Sequence, residues 1–339
     1  MKVFKIKKKK IGQKNPAFII AEIGLNHNGS PLECAKLIHQ AKLSGADAVK
    51  LQVSDPSESY AKFTKSFKIF KKNSLKESEI FNLKRYAEKK KIIFFFTAGD
   101  FKSLNLAKKI KIPAIKISSG LMTNVPLVTE ASKLGVPMII STGMCFKNEI
   151  INTFKIANKH NKFGIALLKC TSLYPASADT VNLLAIQNFI KTFKVPIGYS
   201  DHTEGNLASL LAVGLGAKII EKHFTLDNKQ RGADHKFSCE PRELKNLVKD
   251  IRRTEILLGT EKIKPHIREI PKRNENFRGI LANKNIVKNE KITFSNIGLK
   301  RSLNYKNSLS PKYFHRILGM RAKKNIQMDE KILFSKLKK

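Results

Sequence analysis

The sequence predicts an α/β protein that forms a (β/α)8 barrel, the TIM-barrel architecture, followed by a small β-rich domain. Short apolar runs rich in Ile, Val and Phe occur eight times within the first 258 of the 339 residues. A segment with helical periodicity follows each run, and strands that alternate with helices form parallel βαβ units. Eight units in about 250 residues match the size of a closed barrel. An open, doubly wound sheet is the structural alternative.

The predicted strands combine β-branched and aromatic residues and are bounded by turn-forming residues. In chain order they are Phe18–Ile23, Asp47–Gln52, Ile92–Thr97, Ala114–Ser119, Pro137–Thr142, Gly164–Thr171, Pro196–Asp201 and Lys218–Phe224. The predicted helices carry apolar residues at helical spacing. They are Pro31–Ser44, Ser74–Lys90, Phe101–Ile110, Asn124–Leu134, Lys147–Lys159, Asn182–Thr192, Asn206–Gly214 and Glu240–Leu258.

The pattern changes after Leu258. Residues 259–278 are charged, contain two prolines and lack a clear period, which predicts a linker. Residues 279–339 contain short apolar stretches separated by lysine-rich turns, which is typical of a small β-rich unit. We therefore predict a barrel domain at 1–258, a linker at 259–278 and a second domain at 279–339.

The composition is strongly basic, with 65 Lys and Arg against 27 Asp and Glu and a formal net charge of +38. The lysines are scattered rather than clustered with aromatic residues, so we expect solvated faces and no nucleic-acid partner. Such a field attracts anionic small molecules. No apolar stretch could cross a bilayer and the N-terminus lacks a signal-peptide core, which predicts a cytoplasmic protein without a membrane partner. Four widely spaced cysteines indicate neither a zinc cluster nor a disulfide framework.

The active site of such a barrel lies at the carboxyl ends of its strands. In this sequence those ends are polar. They carry Glu22, Asn26, His27, Lys50, Gln52, Thr97, Lys116, Ser118, Ser119, Ser141, Thr142, Lys169, Thr171, Ser200, Asp201, His202, Glu221 and His223. Helix capping explains single residues of this kind, but not eight polar ends that converge on one mouth.

Two histidines follow the last two predicted strands. His202 and His223 are 21 residues apart, and adjacent strands would bring them to one side of the mouth. Near Asp201, Glu221 and Asp234 they fit a divalent metal such as Mn²⁺ with nitrogen and oxygen ligands. Hydrogen-bonded core histidines are the alternative, and the spacing alone leaves both open.

Lys50 and Lys116 lie inside apolar strands, where a buried ammonium requires an anion or a carboxylate. A buried salt bridge and an incoming phosphate or carboxylate both satisfy that requirement. Hydroxyl donors are available at Thr97, Ser119, Ser141 and Ser200. Because the sequence has no Walker or dinucleotide glycine motif, we expect a small phosphorylated acid rather than a nucleotide. Glu22 is either an acid/base group or a partner for a lysine.

A series of motifs runs through the chain in a fixed order. They are AEIGLNHNGS with Glu22, VKLQ with Lys50 and Gln52, IKISSG with Lys116, STGM with Ser141, CTSLYP with Cys170, GYSDHT with His202, EKHF with His223 and GADHKFS with Asp234. In this order they resemble the sialic acid synthase family. The similarity extends from about Ala17 to the C-terminus. Residues 279–339 resemble the antifreeze-like (SAF) domain that closes these synthases.

The resemblance implies that phosphoenolpyruvate condenses with the open-chain aldehyde of an N-acylated mannosamine-type sugar. The products would be a nine-carbon 2-keto-3-deoxy acid and phosphate. By motif position, Glu22 corresponds to the acid/base residue, and His202 and His223 correspond to the ligands of Mn²⁺ or Mg²⁺.

The resemblance also implies two binding regions. Positions that bind phosphoenolpyruvate correspond to Lys50, Thr97, Lys116, Ser119, Ser141, Ser172 and Ser200. Positions on the sugar side correspond to Gln52, Tyr174 and Asp234. Arg301 corresponds to an arginine that the antifreeze-like domain inserts into the partner's barrel, which implies a domain-swapped homodimer.

Three residues depart from the family pattern. Leu121 replaces an acid that contacts sugar hydroxyls, Ser172 replaces an asparagine near the phosphate, and Ser302 replaces a proline after the arginine. A leucine tolerates a methyl group but offers no partner for a hydroxyl. A 2,4-diacetamido-2,4,6-trideoxy-hexose, leading to legionaminic or pseudaminic acid, is therefore an alternative acceptor. A non-catalytic carbohydrate-binding relative is a further alternative.

Overall fold

A computed structural model describes residues 3–302 and 305–339 of the chain. It divides into two compact units, Met1–Gly259 and Thr260–Lys339. The first unit opens with an antiparallel hairpin of strands β1 (Phe4–Ile6) and β2 (Lys9–Ile11). We did not predict this hairpin from the sequence.

Eight parallel strands of the first unit close into a barrel, which confirms the predicted fold class. They are β3 (Phe18–Gly24), β4 (Ala48–Val53), β5 (Ile93–Ala98), β6 (Ile115–Ile117), β7 (Met138–Ser141), β8 (Ile165–Cys170), β9 (Ile197–Asp201) and β10 (Ile219–His223). The strands follow chain order around the barrel, and β10 pairs with β3 to close it. Because the barrel lies inside a ring of helices, its strands are buried on both faces and read as continuous apolar runs.

The helices of this unit follow the strands. They are α1 (Pro31–Leu43), α2 (Pro56–Ser59), α3 (Lys65–Asn73), α4 (Glu77–Lys89), α5 (Phe101–Lys109), α6 (Val125–Ser132), α7 (Lys147–His160), α8 (Ala185–Phe193), α9 (Leu207–Gly214) and α10 (Pro241–Leu258). Among the described residues, no helix has the length and apolar character that a membrane span requires. Helices α2 and α3 were not predicted and extend the connection after β4.

The second unit has its own apolar core. Residues 259–278, which we predicted to be a linker, include helix α11 (Ile270–Asn276). The elements that follow are β11 (Arg278–Ala282), β12 (Ile297–Arg301), α12 (Phe314–Ile317), β13 (Arg321–Ala322) and β14 (Leu337–Lys338). Strands β11 and β12 pair antiparallel, as do β13 and β14. Ile280, Ile297 and Ile332 are buried at the centre of this unit.

Candidate active site

A cavity of about 470 Å³ opens at the carboxyl ends of the barrel strands. Twelve of the catalytic, binding and metal-ligating residues that the resemblance implies line this cavity. They are Glu22, Lys50, Gln52, Thr97, Lys116, Ser119, Ser141, Ser172, Tyr174, Ser200, His202 and His223. The strand register explains the convergence, because Glu22 on β3 pairs with His223 on β10 and with Lys50 on β4. Residues paired in this way point to the same face of the sheet.

Two lysines and two glutamates form a buried ionic cluster in this cavity. Lys50 Nζ contacts Glu22 Oε2 and lies 3.7 Å from Glu221 Oε2. Lys116 Nζ lies 3.5 Å from Glu221 Oε1 and donates a hydrogen bond to Ser141 Oγ at 2.7 Å. Lys50 and Lys116 are paired with carboxylates and also line an open cavity. The structure therefore agrees both with a buried salt bridge and with a site for an incoming anion. Glu221 is the shared partner, a role that its strand-end position alone did not indicate.

Proton affinity differs between the two carboxyl groups. Burial raises the pKa of Glu22 to about 7; the adjacent Lys50 opposes this shift and the charge of Glu221 adds to it. Burial also disfavours the charge on Glu221, but Lys116 and Lys50 outweigh it and lower the pKa of that group. Two carboxyl groups whose environments separate their pKa values are a common basis for acid/base chemistry. Glu22 can accept or release a proton near neutral pH.

The two imidazoles lie on one side of the cavity with ring centroids 5.4 Å apart. His202 Nδ1 lies 2.6 Å from the carbonyl oxygen of Thr171, so the tautomer that donates there leaves Nε2, which is 3.4 Å from Ser200 Oγ, as an acceptor. His223 Nδ1 is buried, has no hydrogen-bond partner in the part of the chain that the structure describes, and is 3.8 Å from Asp234 Oδ2. Burial and nearby positive charges hold the pKa of His223 well below its ordinary value, so this ring is neutral.

These features fit a divalent metal bound by two nitrogens. Metal-binding histidines usually donate their second N–H to a carbonyl or carboxylate, as His202 can to Thr171. The buried nitrogen of the neutral His223, which has no partner among the described residues, would supply a second ligand. Across residues 3–302 and 305–339, no three His, Cys, Asp or Glu side chains are arranged to hold an ion. Water or substrate oxygens would have to complete the coordination.

Serine hydroxyls surround a tight turn that follows β7. Ser119 Oγ accepts a hydrogen bond from the Gly143 amide at 2.9 Å, and Ser172 Oγ is buried without a partner among residues 3–302 and 305–339. A Cβ at Gly143 would lie 2.3 Å from Ser172 Oγ and 2.9 Å from Ser119 Oγ. Only glycine allows this approach. An unpartnered buried hydroxyl aimed into a cavity is available to bind an incoming oxyanion.

Part of the cavity lining consists of side chains that the sequence did not reveal. Tyr60 and Phe70 come from the connection after β4, and Met144 follows β7. They line the cavity together with Leu121. Tyr174 stacks on His202, with the two ring centroids 4.2 Å apart.

Two residues that the resemblance placed in the binding regions, Asp234 and Arg301, lie outside this lining. Six predicted strand-end residues also lie outside it: Asn26, His27, Thr142, Lys169, Thr171 and Asp201. Asp234 lies beside His223 and is not part of the cavity lining. Arg301 is exposed on β12 of the second unit, where it pairs with Arg278 across the strands.

Fold and cavity together define a closed barrel whose mouth holds a carboxyl group with a pKa of about 7, a buried cluster of lysines and glutamates, and two neighbouring imidazoles. The chain belongs to the NeuB family, whose model matches residues 37–263. This confirms the resemblance to sialic acid synthases.

Individual relatives agree with this assignment. An uncharacterized protein of Methanocaldococcus jannaschii is 42% identical over 301 residues, covering 89% of each chain. The N,N'-diacetyllegionaminic acid synthase of Legionella pneumophila is 37% identical and covers 91% of each chain. The solved N-acetylneuraminic acid synthetase of Leptospira borgpetersenii, in complex with citrate, has a TM-score of 0.77 and 37% identity. The match covers 81% of this chain and 97% of that one. These relatives support a synthase of the sialic acid type.

Proposed function

We propose that this protein condenses phosphoenolpyruvate with the open-chain form of an N-acylated mannosamine-type sugar. The C3 carbon of phosphoenolpyruvate forms a bond with the aldehyde carbon, water adds at C2, and the tetrahedral intermediate expels phosphate. The product is a nine-carbon 2-keto-3-deoxy acid. The observation that carries this proposal is the buried Glu22 with a pKa of about 7 beside two lysines in the barrel mouth.

The anionic substrate would bind on the side of the cavity that carries Lys50 and Lys116. Lys50 and Thr97 are 3.0 Å apart between Nζ and Oγ1 and offer donors for the carboxylate. Lys116 with its serine neighbours offers donors for the phosphate. These serines are Ser119, Ser141, Ser172 and Ser200. A substrate oxyanion that takes over one lysine contact would leave Glu22 free to exchange a proton with the sugar oxygen or the attacking water.

His202 and His223 would hold Mn²⁺ or Mg²⁺. When bound, the ion would act as a Lewis acid that offsets charge developing on the aldehyde oxygen. Manganese should raise the thermal midpoint of the wild-type protein, since a ligand of the folded state stabilises it. His223→Gln should lose that rise. His160→Gln, on the surface of α7, is the matched control and should keep it.

The main assay is phosphate release from phosphoenolpyruvate with Mn²⁺ and N-acetylmannosamine, with the product identified by mass. Glu22→Gln should lower turnover by roughly 100-fold or more while phosphoenolpyruvate binding persists. Folded, metal-loaded protein that releases no phosphate with any acceptor would favour the non-catalytic, carbohydrate-binding alternative. Unchanged kinetics in Glu22→Gln would contradict the assigned role of Glu22.

Three apolar side chains of the cavity lining favour a second acceptor, a 2,4-diacetamido-2,4,6-trideoxy-hexose. Leu121, Phe70 and Met144 offer apolar contact to a methyl group and no hydrogen-bond acceptor for a hydroxyl. The Legionella pneumophila relative is a synthase of this kind by its name. Parallel assays with both sugars decide between them. Leu121→Glu should shift the kcat/KM ratio toward the hydroxylated sugar by roughly tenfold, whereas Leu121→Met should not.

We further propose that Arg301 acts from a partner chain in a domain-swapped homodimer, where it meets the N-acyl group. Arg301→Ala should mainly raise the sugar KM. Mixing Glu22→Gln chains with Arg301→Ala chains gives a sharper test. If the second domains are exchanged, about one quarter of all sites in a randomised mixture regain both wild-type residues. If each site is built from one chain, mixing restores nothing.

A further inference from the structure

A second cavity lies at the opposite end of the barrel from the mouth. It has a volume of about 630 Å³ and lies where strands β4, β5 and β6 begin. Gly45 and Asp47 precede β4, Ile93 begins β5, and Pro113 precedes β6. From Ile93 to Thr97, which lines the mouth, β5 rises roughly 13 Å. This cavity is therefore separate from the site described above.

Lysines dominate the rim of this cavity. The six lysines are Lys7, Lys8, Lys9, Lys42, Lys84 and Lys91. Three of them come from the β1–β2 hairpin, which presents a lysine-rich turn to α1 and α4. Asp47 and Glu88 are the only acids that the described residues contribute to the lining, so four positive charges are in excess there. A cavity of this size accommodates a ligand as large as a nucleotide.

The two acids are already neutralised. Asp47 Oδ1 lies 2.6 Å from Lys9 Nζ, and Asp47 Oδ2 accepts a hydrogen bond from the Ile19 amide at 3.0 Å. Glu88 Oε1 lies 2.8 Å from Lys84 Nζ and 3.6 Å from Lys7 Nζ.

The other three lysines of the rim, Lys8, Lys42 and Lys91, have no carboxylate partner among the described residues. They surround one concave space from the hairpin turn, the last turn of α1 and the start of β5. Unpaired ammonium groups around a cavity repel one another, and a bound polyanion relieves that repulsion. A single carboxylate would leave most of the excess charge uncompensated. The apolar side chains of Ile92 and Phe94 also line the cavity and could contact an attached base.

We propose that this cavity binds a small anion with two or more linked phosphate groups. The group that the cavity recognises is a di- or triphosphate, which either inorganic pyrophosphate or a nucleotide can provide. Isothermal titration at about 150 mM salt, where long-range surface attraction is screened, tests the proposal with phosphate, pyrophosphate and ATP. We expect one pyrophosphate or ATP per chain, and roughly tenfold weaker binding of phosphate. Tighter binding of ATP than of pyrophosphate would identify a nucleotide.

The variant Lys8→Glu, Lys42→Glu, Lys91→Glu should weaken binding by roughly tenfold or more. These three lysines take no part in the ion pairs of the hairpin, so the fold should persist. The matched control reverses three exposed lysines of α7 and α8, and it should bind as wild type does. Its substitutions are Lys155→Glu, Lys159→Glu and Lys191→Glu.

Three results would overturn the proposal. Absence of saturable binding is the first. Equal weakening in both triple variants is the second, since it would indicate only the general field of a chain with net charge +38. Full retention in the Lys8, Lys42 and Lys91 variant is the third, because the anion would then occupy the barrel mouth. If that variant fails to fold, the single changes Lys8→Ala and Lys42→Ala should each weaken binding, and wild-type affinity in both would equally contradict the site.

Discussion

Replacing Glu221 by Gln should lower the pKa of Glu22 and move the pH dependence of the reaction. Lys50 contacts both carboxylates, so their oxygens lie within roughly 6 Å of each other. One charge at that distance contributes about 2.8 kcal/mol at an effective dielectric constant of 20, which equals about two pKa units. Without Glu221, Lys50 is paired with Glu22 alone, and this also lowers the pKa of Glu22. Burial, the largest cause of the raised pKa, is unchanged.

We expect the pKa of Glu22 to fall from about 7 by one to two units in this variant. The assay is phosphate release across pH 4.5 to 9, because the pH dependence of kcat/KM reports groups of the free enzyme. The wild-type pH profile should have a limb, a region in which kcat/KM changes with pH, near pH 7. In Glu221→Gln that limb should lie at lower pH. Glu204→Gln removes an exposed carboxylate outside the cluster and should leave the limb in place. An unmoved limb in Glu221→Gln, or a shift to higher pH, would refute the electrostatic reasoning.

Two further predictions concern the turn and a buried histidine. Gly143→Ala should raise the KM for phosphoenolpyruvate, because the added Cβ displaces the neighbouring serines; Gly214→Ala, in α9 and outside the cavity lining, is the control, since nothing lies within 4 Å of a Cβ there. His27 is buried with a pKa lowered by burial to about 4, so it binds its proton more readily in the unfolded chain. Its contribution to stability is present above pH 6.5 and is lost as pH falls from there toward 4, by about 2 kcal/mol at pH 5. Urea unfolding should show that His27→Gln loses less stability between pH 7 and 5 than wild type does, and equal losses would contradict the assignment.

The barrel could be predicted from the sequence because burial on both faces leaves continuous apolar runs. The β1–β2 hairpin could not. Only Phe4, Ile6 and Ile11 of its strands are buried, and lysines occupy the other positions. A three-residue strand of this kind cannot be distinguished from a basic tail by periodicity. Helix α3 was missed for a similar reason, since Phe70 and Asn73 are its buried residues.

The same contrast holds for the site. Residues at strand ends could be predicted because the fold itself brings them to one mouth. Tyr60 and Phe70 reach the cavity through the path of a long connection, which depends on tertiary packing rather than on a local pattern. Glu221 was visible at a strand end, but its role as the carboxylate shared by Lys50 and Lys116 depends on distances that spacing does not give.

The charge balance of the cluster indicates which way the Glu22 proton moves first. Without substrate, Lys50 and Lys116 face two carboxyl groups, one of which is half-protonated near pH 7. Phosphoenolpyruvate would bring about two to three negative charges to the same lysines. This must raise the pKa of Glu22 further, since added negative charge disfavours a carboxylate. Glu22 should therefore be protonated in the substrate complex and act first as the acid toward the sugar oxygen. The limb in kcat should then lie at higher pH than the limb in kcat/KM, measured on the same metal-loaded enzyme so that the ion contributes equally to both. A kcat limb at lower pH would indicate that Glu22 starts as a base.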